Sequence, residues 1–131
     1  MRLFRKRRPR PGWTRENALQ CVPVKNSAVR EVRLENGLVR LCYPLPLKPW
    51  LAELRRRFGP PETATPEKQI ELDELGTLTW DLMDGTLKFS DIVRRFSRRT
   101  QVHPKEAEAA VAQFIRELGR RGLIGLKNNE P

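Results

Sequence analysis

The sequence predicts a small α+β domain, and three observations predict it. An Asn-Gly pair sits between two alternating runs in VREVRLENGLVRLCYP, a short strand-like KQIELD follows, and three segments with helical spacing of apolar residues come after it. The order is three strands and then three helices. At 131 residues the chain is one ordinary domain with an extension, large enough for a modest core.

Residues 1–14 form a basic tail, MRLFRKRRPRPGWT, poor in apolar groups and interrupted by Pro9 and Pro11, and they are expected to be disordered. Residues 15–28 are an N-terminal extension in which Arg15 to Gln20 predict a helical turn, with Thr14 as cap. The main domain spans 29–127 and a short C-terminal tail 128–131. Within it, Asn36-Gly37 predicts a type I′ hairpin in which Leu34 faces Val39, Val32 faces Leu41 and Arg30 faces Tyr43. That register gathers the apolar residues on one face. Pro44, Pro46 and Pro49 then break regular structure. An insert at 45–66 carries an amphipathic helix with Leu47, Leu51, Leu54 and Phe58 at helical spacing, closed by the linker GPPETATP. KQIELD is the third strand, with Ile70 and Leu72 on one face and Gln69 and Glu71 on the other.

Asp73 caps the first of the three helices, which carries Leu75, Leu78 and Leu82 along one side and ends at Gly85. The second runs from Phe89 to Arg99 with Ile92, Val93 and Phe96 inward. Pro104 opens the third, through Ala107, Val111, Phe114, Ile115 and Leu118, and Gly122 ends it.

The formal charge is +10, yet seven of the 26 basic residues and none of the acidic ones precede Glu16, so the basicity belongs mostly to the tail. There is no membrane-length apolar run and no apolar core of a signal peptide, which points to the cytoplasm, where Cys21 and Cys42 are expected as free, partly buried thiols. The chemistry of catalysis is missing. His103, the only imidazole, precedes Pro104 in a helix-start loop and reads as a loop or capping residue. Cys21, Cys42 and His103 lack metal-ligand spacing, Asp81 and Asp84 read as solvated, and no glycine-rich phosphate loop is present. The sequence therefore argues against an enzyme, a metal site or a bound cofactor.

Three features could support binding. Arg94, Arg95, Arg98 and Arg99 form two i, i+4 rows on the second helix, suited to phosphates of a nucleic acid or simply to solvent. WLAELRRRF, helped by the basic tail, suits an anionic membrane surface, or else a lid on the core. The strand KQIELD has a linker and a helix as its sequence neighbours, so one of its edges is a candidate to accept an extended peptide.

The stretch LDELGTLTWDLMDG resembles the signature Leu-Asn-x-x-Ala/Gly-x-x-Ile-Trp-x-Leu-Leu-Asp-Gly of the PqqD family, matched at Leu72, Gly76, Trp80, Leu82, Asp84 and Gly85. VAQFIRELGRRGLIGL is similar to the family's closing helix, and the resemblance covers about residues 29–126. Asp73 replaces the usual Asn, Thr79 an aliphatic residue, and Lys88 a capping Thr or Ser. The resemblance implies a winged-helix-like domain with a three-stranded antiparallel sheet followed by three helices. It further implies a peptide chaperone that holds the leader segment of a precursor peptide and presents it to a radical S-adenosylmethionine or other peptide-modifying enzyme. On that reading the leader docks on Lys68, Gln69, Ile70, Glu71 and Leu72 of the third strand and on Val111 and Ile115 of the third helix.

Overall fold

The computed structural model describes residues 15–44, 56–57 and 67–128. In chain order its elements are α1 (Arg15–Gln20), β1 (Val22–Lys25), β2 (Arg30–Arg33), β3 (Val39–Pro44), β4 (Glu67–Glu71), α2 (Glu74–Leu82), α3 (Phe89–Thr100), α4 (Pro104–Arg120) and β5 (Ile124–Lys127). This is the expected α+β class, with a three-stranded antiparallel sheet ahead of three helices. The basic tail and the inserted helix lie outside the described residues, apart from Arg56 and Arg57, which are helical and exposed. The chain divides into two compact units, residues 26–77 and a second one that joins the residues up to Lys25 with those from Leu78 onward.

In the unit 26–77 the strand order is β2-β3-β4. β3 is central, and its Val39, Leu41, Cys42 and Tyr43 are all buried. The hairpin forms where the sequence places it, with a register shifted by one residue: Arg33 faces Val39, Val32 faces Arg40 and Arg30 faces Cys42. The turn is the reason. Gly37 N-H donates to Leu34 O at 2.9 Å and Leu34 N-H to Leu38 O at 2.8 Å, which closes a three-residue loop. Only Gly37, at φ 88°, is left-handed there, whereas a type I′ turn needs positive φ at both central residues. Asn36 instead uses its side chain, Oδ1 accepting Leu38 N-H at 3.0 Å. Gathering every apolar side chain on one face is thus overridden by local turn chemistry.

β4 pairs with β3 so that Glu71 faces Arg40, Ile70 faces Leu41, Gln69 faces Cys42 and Lys68 faces Tyr43. The ladder is completed by Leu72 N-H donating to Val39 O at 2.8 Å. Asp73 begins α2 as expected, its Oδ1 accepting Gly76 N-H at 2.7 Å. The leucine face assigned to this helix needs one correction: Leu75 is 52% exposed, while Thr77 is buried.

In the other unit β1 and β5 pair antiparallel, Val22 facing Lys127 and Lys25 facing Ile124. α3 and α4 pack on each other. Their buried faces are Phe89, Ile92, Val93 and Phe96 on α3, and Ala107, Val111, Ile115 and Leu118 on α4. Asp91 Oδ2 accepts Lys88 N-H at 3.3 Å, so the start of α3 is capped from within its first turn although Lys88 has no acceptor of its own. His103 caps α4, Nδ1 accepting Lys105 N-H at 3.0 Å. α4 ends in a Schellman motif: Gly122, at φ 80°, donates to Gly119 O at 3.0 Å and Leu123 to Leu118 O at 2.9 Å. The Asp84-Gly85 pair of the signature makes the turn after α2. Gly85 adopts φ 86°, and Asp84 Oδ1 accepts Thr86 N-H, Thr86 Oγ1-H and Leu87 N-H at 2.9, 2.9 and 3.0 Å. Trp80 is buried, with the Lys25 ammonium 4.5 Å from its ring centroid.

Candidate functional site

β4 is an edge strand of its sheet: among the described residues it pairs with β3 and with no other strand. Which backbone groups face the open side follows from the ladder. In an antiparallel pair alternate residues bond across, and Leu72 bonds to Val39. Ile70 and Lys68 therefore turn their N-H and C=O groups toward Leu41 and Tyr43, and Gln69 and Glu71 turn theirs outward. β2 on the far side obeys the same parity, since Leu34 bonds to Leu38 and places Arg40 and Cys42 in the bonded positions toward β2.

The side chains alternate as expected. Lys68, Ile70 and Leu72 share a face with Leu41 and Tyr43, with Leu72 buried, Ile70 half-buried and Lys68 exposed. Gln69 and Glu71 are exposed on the opposite face, where two ion pairs tie the strands: Arg40 Nη2 to Glu71 Oε2 at 2.7 Å and Arg30 Nη2 to Glu67 Oε1 at 3.1 Å. These are exposed pairs and contribute little to stability, but they tie β4 to its sheet from the β3 side, and among the described residues no strand pairs with its outer backbone.

The five strand residues named from the sequence thus form one contiguous edge. Val111 and Ile115 lie one turn apart on α4, in the other unit. Val111 is fully buried with the inward face of that helix, and Ile115 also lines a groove of about 660 Å3 between α1, α4 and β5. Sequence reasoning missed this groove. Its walls come from opposite ends of the chain, Arg15 and Ala18 on one side and Ile124 to Leu126 on another, and no local pattern joins them. Across its mouth Arg15 donates to both carboxylate oxygens of Glu108, Nε to Oε2 at 2.8 Å and Nη2 to Oε1 at 2.7 Å. That fork holds the Glu108 carboxyl below its usual range and raises Arg15 further.

Among the described residues no group of three potential metal ligands comes together. Cys21 and Cys42 are free and buried, and burial pushes the Cys21 thiol up. The α3 arginines stand on the solvent side of the helix, Arg94 paired with Asp91.

No curated protein and no solved structure matches the chain significantly. A family model does, over residues 60–124, a stretch just short of half the chain that runs from before β4 to the start of β5. Its description is coenzyme PQQ synthesis protein D, and it contains both the edge strand and the Trp80-Asp84-Gly85 signature. The α+β order of elements is consistent with the winged-helix-like form of that family. Over this segment the chain is similar to the PqqD family.

Proposed function

We propose that the protein is a non-catalytic recognition module that captures the leader segment of a ribosomally made precursor peptide by adding it as a strand to β4, and presents it to a modifying enzyme. The similarity to coenzyme PQQ synthesis protein D supports quinone cofactor synthesis as the setting, and a radical S-adenosylmethionine enzyme is the partner proposed there. The observation that carries the reading is the edge of β4 that no strand pairs with among the described residues, where Gln69 and Glu71 turn backbone donors and acceptors outward. An extended peptide bonding there becomes the fourth strand after β2, β3 and β4. Main-chain bonds supply affinity. Lys68 and Ile70 on one face, and Gln69 and Glu71 on the other, supply selectivity.

The test uses proline as a probe of backbone donors. Titrated calorimetrically with a quinone-cofactor precursor peptide, Gln69→Ala retains affinity within a few-fold, because only a side chain is lost. Gln69→Pro stays folded by circular dichroism but binds at least roughly tenfold more weakly. Ile70→Pro removes an inward N-H and unfolds the unit. A folded Gln69→Pro with unchanged affinity would remove β4 as the docking edge. Raising the salt from low to physiological concentration changes affinity little, in contrast to the steep loss that phosphate binding would give.

A further inference from the structure

The groove of α1, α4 and β5 belongs entirely to the unit that does not contain β4. It continues along α4 into a second depression that shares Arg15, Glu108, Ala112 and Arg116 with it and extends to Lys105. From Lys105 to Gly119 the trough follows α4 for roughly 21 Å at 1.5 Å per residue. Its floor is apolar, made by Phe89, Ala112 and Ile115, with Leu126, half exposed, at the β5 lip. Ala109, Ala112 and Gly119 are small enough for a second backbone to approach closely.

The rim is cationic. Glu108 is the acidic residue of the lining, and Arg15 already engages both of its oxygens. Arg116 has no ion pair among the described residues, and Lys105 stands three turns earlier on the same helix. This arrangement selects among possible occupants. Residues 1–14 of this chain carry six basic residues and no acidic one, so like charge opposes their entry. A second copy brings the same net charge of +10. A compact ligand would leave most of the trough empty.

We propose that this trough is a second docking surface, which takes an acidic amphipathic helix of a protein partner. Apolar side chains at i, i+3, i+4 and i+7 enter the floor, and carboxylates about three turns apart reach Arg116 and Lys105. The proposal is independent of peptide capture at β4.

The test measures fluorescence anisotropy of a labelled synthetic helix of about 15 residues, with leucine at those spacings and glutamate elsewhere, against its lysine-for-glutamate counterpart, on the full chain. The acidic helix binds roughly tenfold or more tightly than the basic one at physiological salt. Arg116→Glu and Ala112→Trp each remove roughly tenfold of that affinity, while Arg98→Glu, an equal change in net charge on α3, and Gln69→Pro leave it within twofold. Should Ala112→Trp not fold, the exposed Arg116→Glu decides alone. Equal binding of both helices, unchanged affinity in Arg116→Glu, or an equal loss in Arg98→Glu overturns the proposal. A large gain in affinity on deleting residues 1–14 would assign the trough to the chain's own tail. Self-association that Ala112→Trp abolishes would assign it to a second copy, and either result overturns the acidic partner.

Discussion

Thr77 Oγ1 accepts the N-H of Val39 at 3.2 Å and donates to Leu72 O at 3.4 Å, so a single hydroxyl bridges the last rung of the β3–β4 ladder. Val39 is fully buried, so an N-H that loses this acceptor is left with an unmet hydrogen bond in the core. Thr77→Val keeps the shape and removes the acceptor, and is expected to cost about 1 to 3 kcal/mol in chemical denaturation. Thr77→Ser restores most of the loss. An equal loss in both variants would mean that the methyl group, not the hydroxyl, carries the effect.

Asp84 accepts three hydrogen bonds in the turn after α2, and these lower its carboxyl below the usual range, the Thr86 N-H contributing most. A carboxyl lowered on folding stabilises the protein above its unfolded pKa, and that contribution is lost as pH falls through the lowered folded value. Asp84→Ala is expected to cost about 1 kcal/mol near neutrality. The gap in melting temperature between the two proteins should close as the pH is brought down through the acid range. A gap independent of pH would assign the turn to Gly85 alone.

Trp80 is fully buried, its indole N-H has no partner among the described residues, and Lys25 covers the ring. Trp80→Ala is expected to cost about 3 to 5 kcal/mol through the cavity it leaves. Trp80→Phe should cost far less, because it discards an unpaired polar group together with part of the ring. A smaller loss in the alanine variant than in the phenylalanine one would contradict this packing.

Gly37 adopts φ 88° with open space around the position of a Cβ, so Gly37→Ala meets conformational strain without a clash. A loss of about 1 kcal/mol is expected, while Gly37→Asn, which tolerates the left-handed region, should lose less.

Cys21 is buried and its thiol is raised by that burial, so the thiolate needed for alkylation is scarce. Iodoacetamide should modify Cys21 in the native protein roughly a hundredfold more slowly than in urea. Comparable rates would show that α1, whose Asn17 O lies 3.5 Å from the sulfur, opens readily.

How much was legible in the sequence depended on whether the signal was local. α3 and α4 declared themselves because period, proline and glycine agreed: Pro104 opens α4 and Gly122 closes it in a left-handed conformation. β4 was legible through its alternation, with Ile70 and Leu72 opposite Gln69 and Glu71 in face. The direction of the Gln69 N-H was not, because it is set by the Leu72–Val39 bond to another strand. β1 and β5 escaped notice, since Pro23 and Gly125 interrupt their patterns and they find each other across nearly the whole chain. Thr77 was overlooked because hydropathy ranks it below Leu75, although its hydroxyl completes a buried ladder and Leu75 faces water. The trough on α4 was illegible for the same reason as β1, its walls being assembled from chain ends.

The pairing of β1 with β5 also sets an order of events during synthesis. Residues 26–77 are one continuous stretch, so the pairing of their sheet needs no residue beyond Thr77. The other unit must wait, because Val22 finds Lys127 only after roughly a hundred further residues have been made, and closing so large a loop slows the search. On the ribosome, therefore, the partners of β4 are all made well before β5, while β1, already made, has no β5 to pair with until translation has passed it.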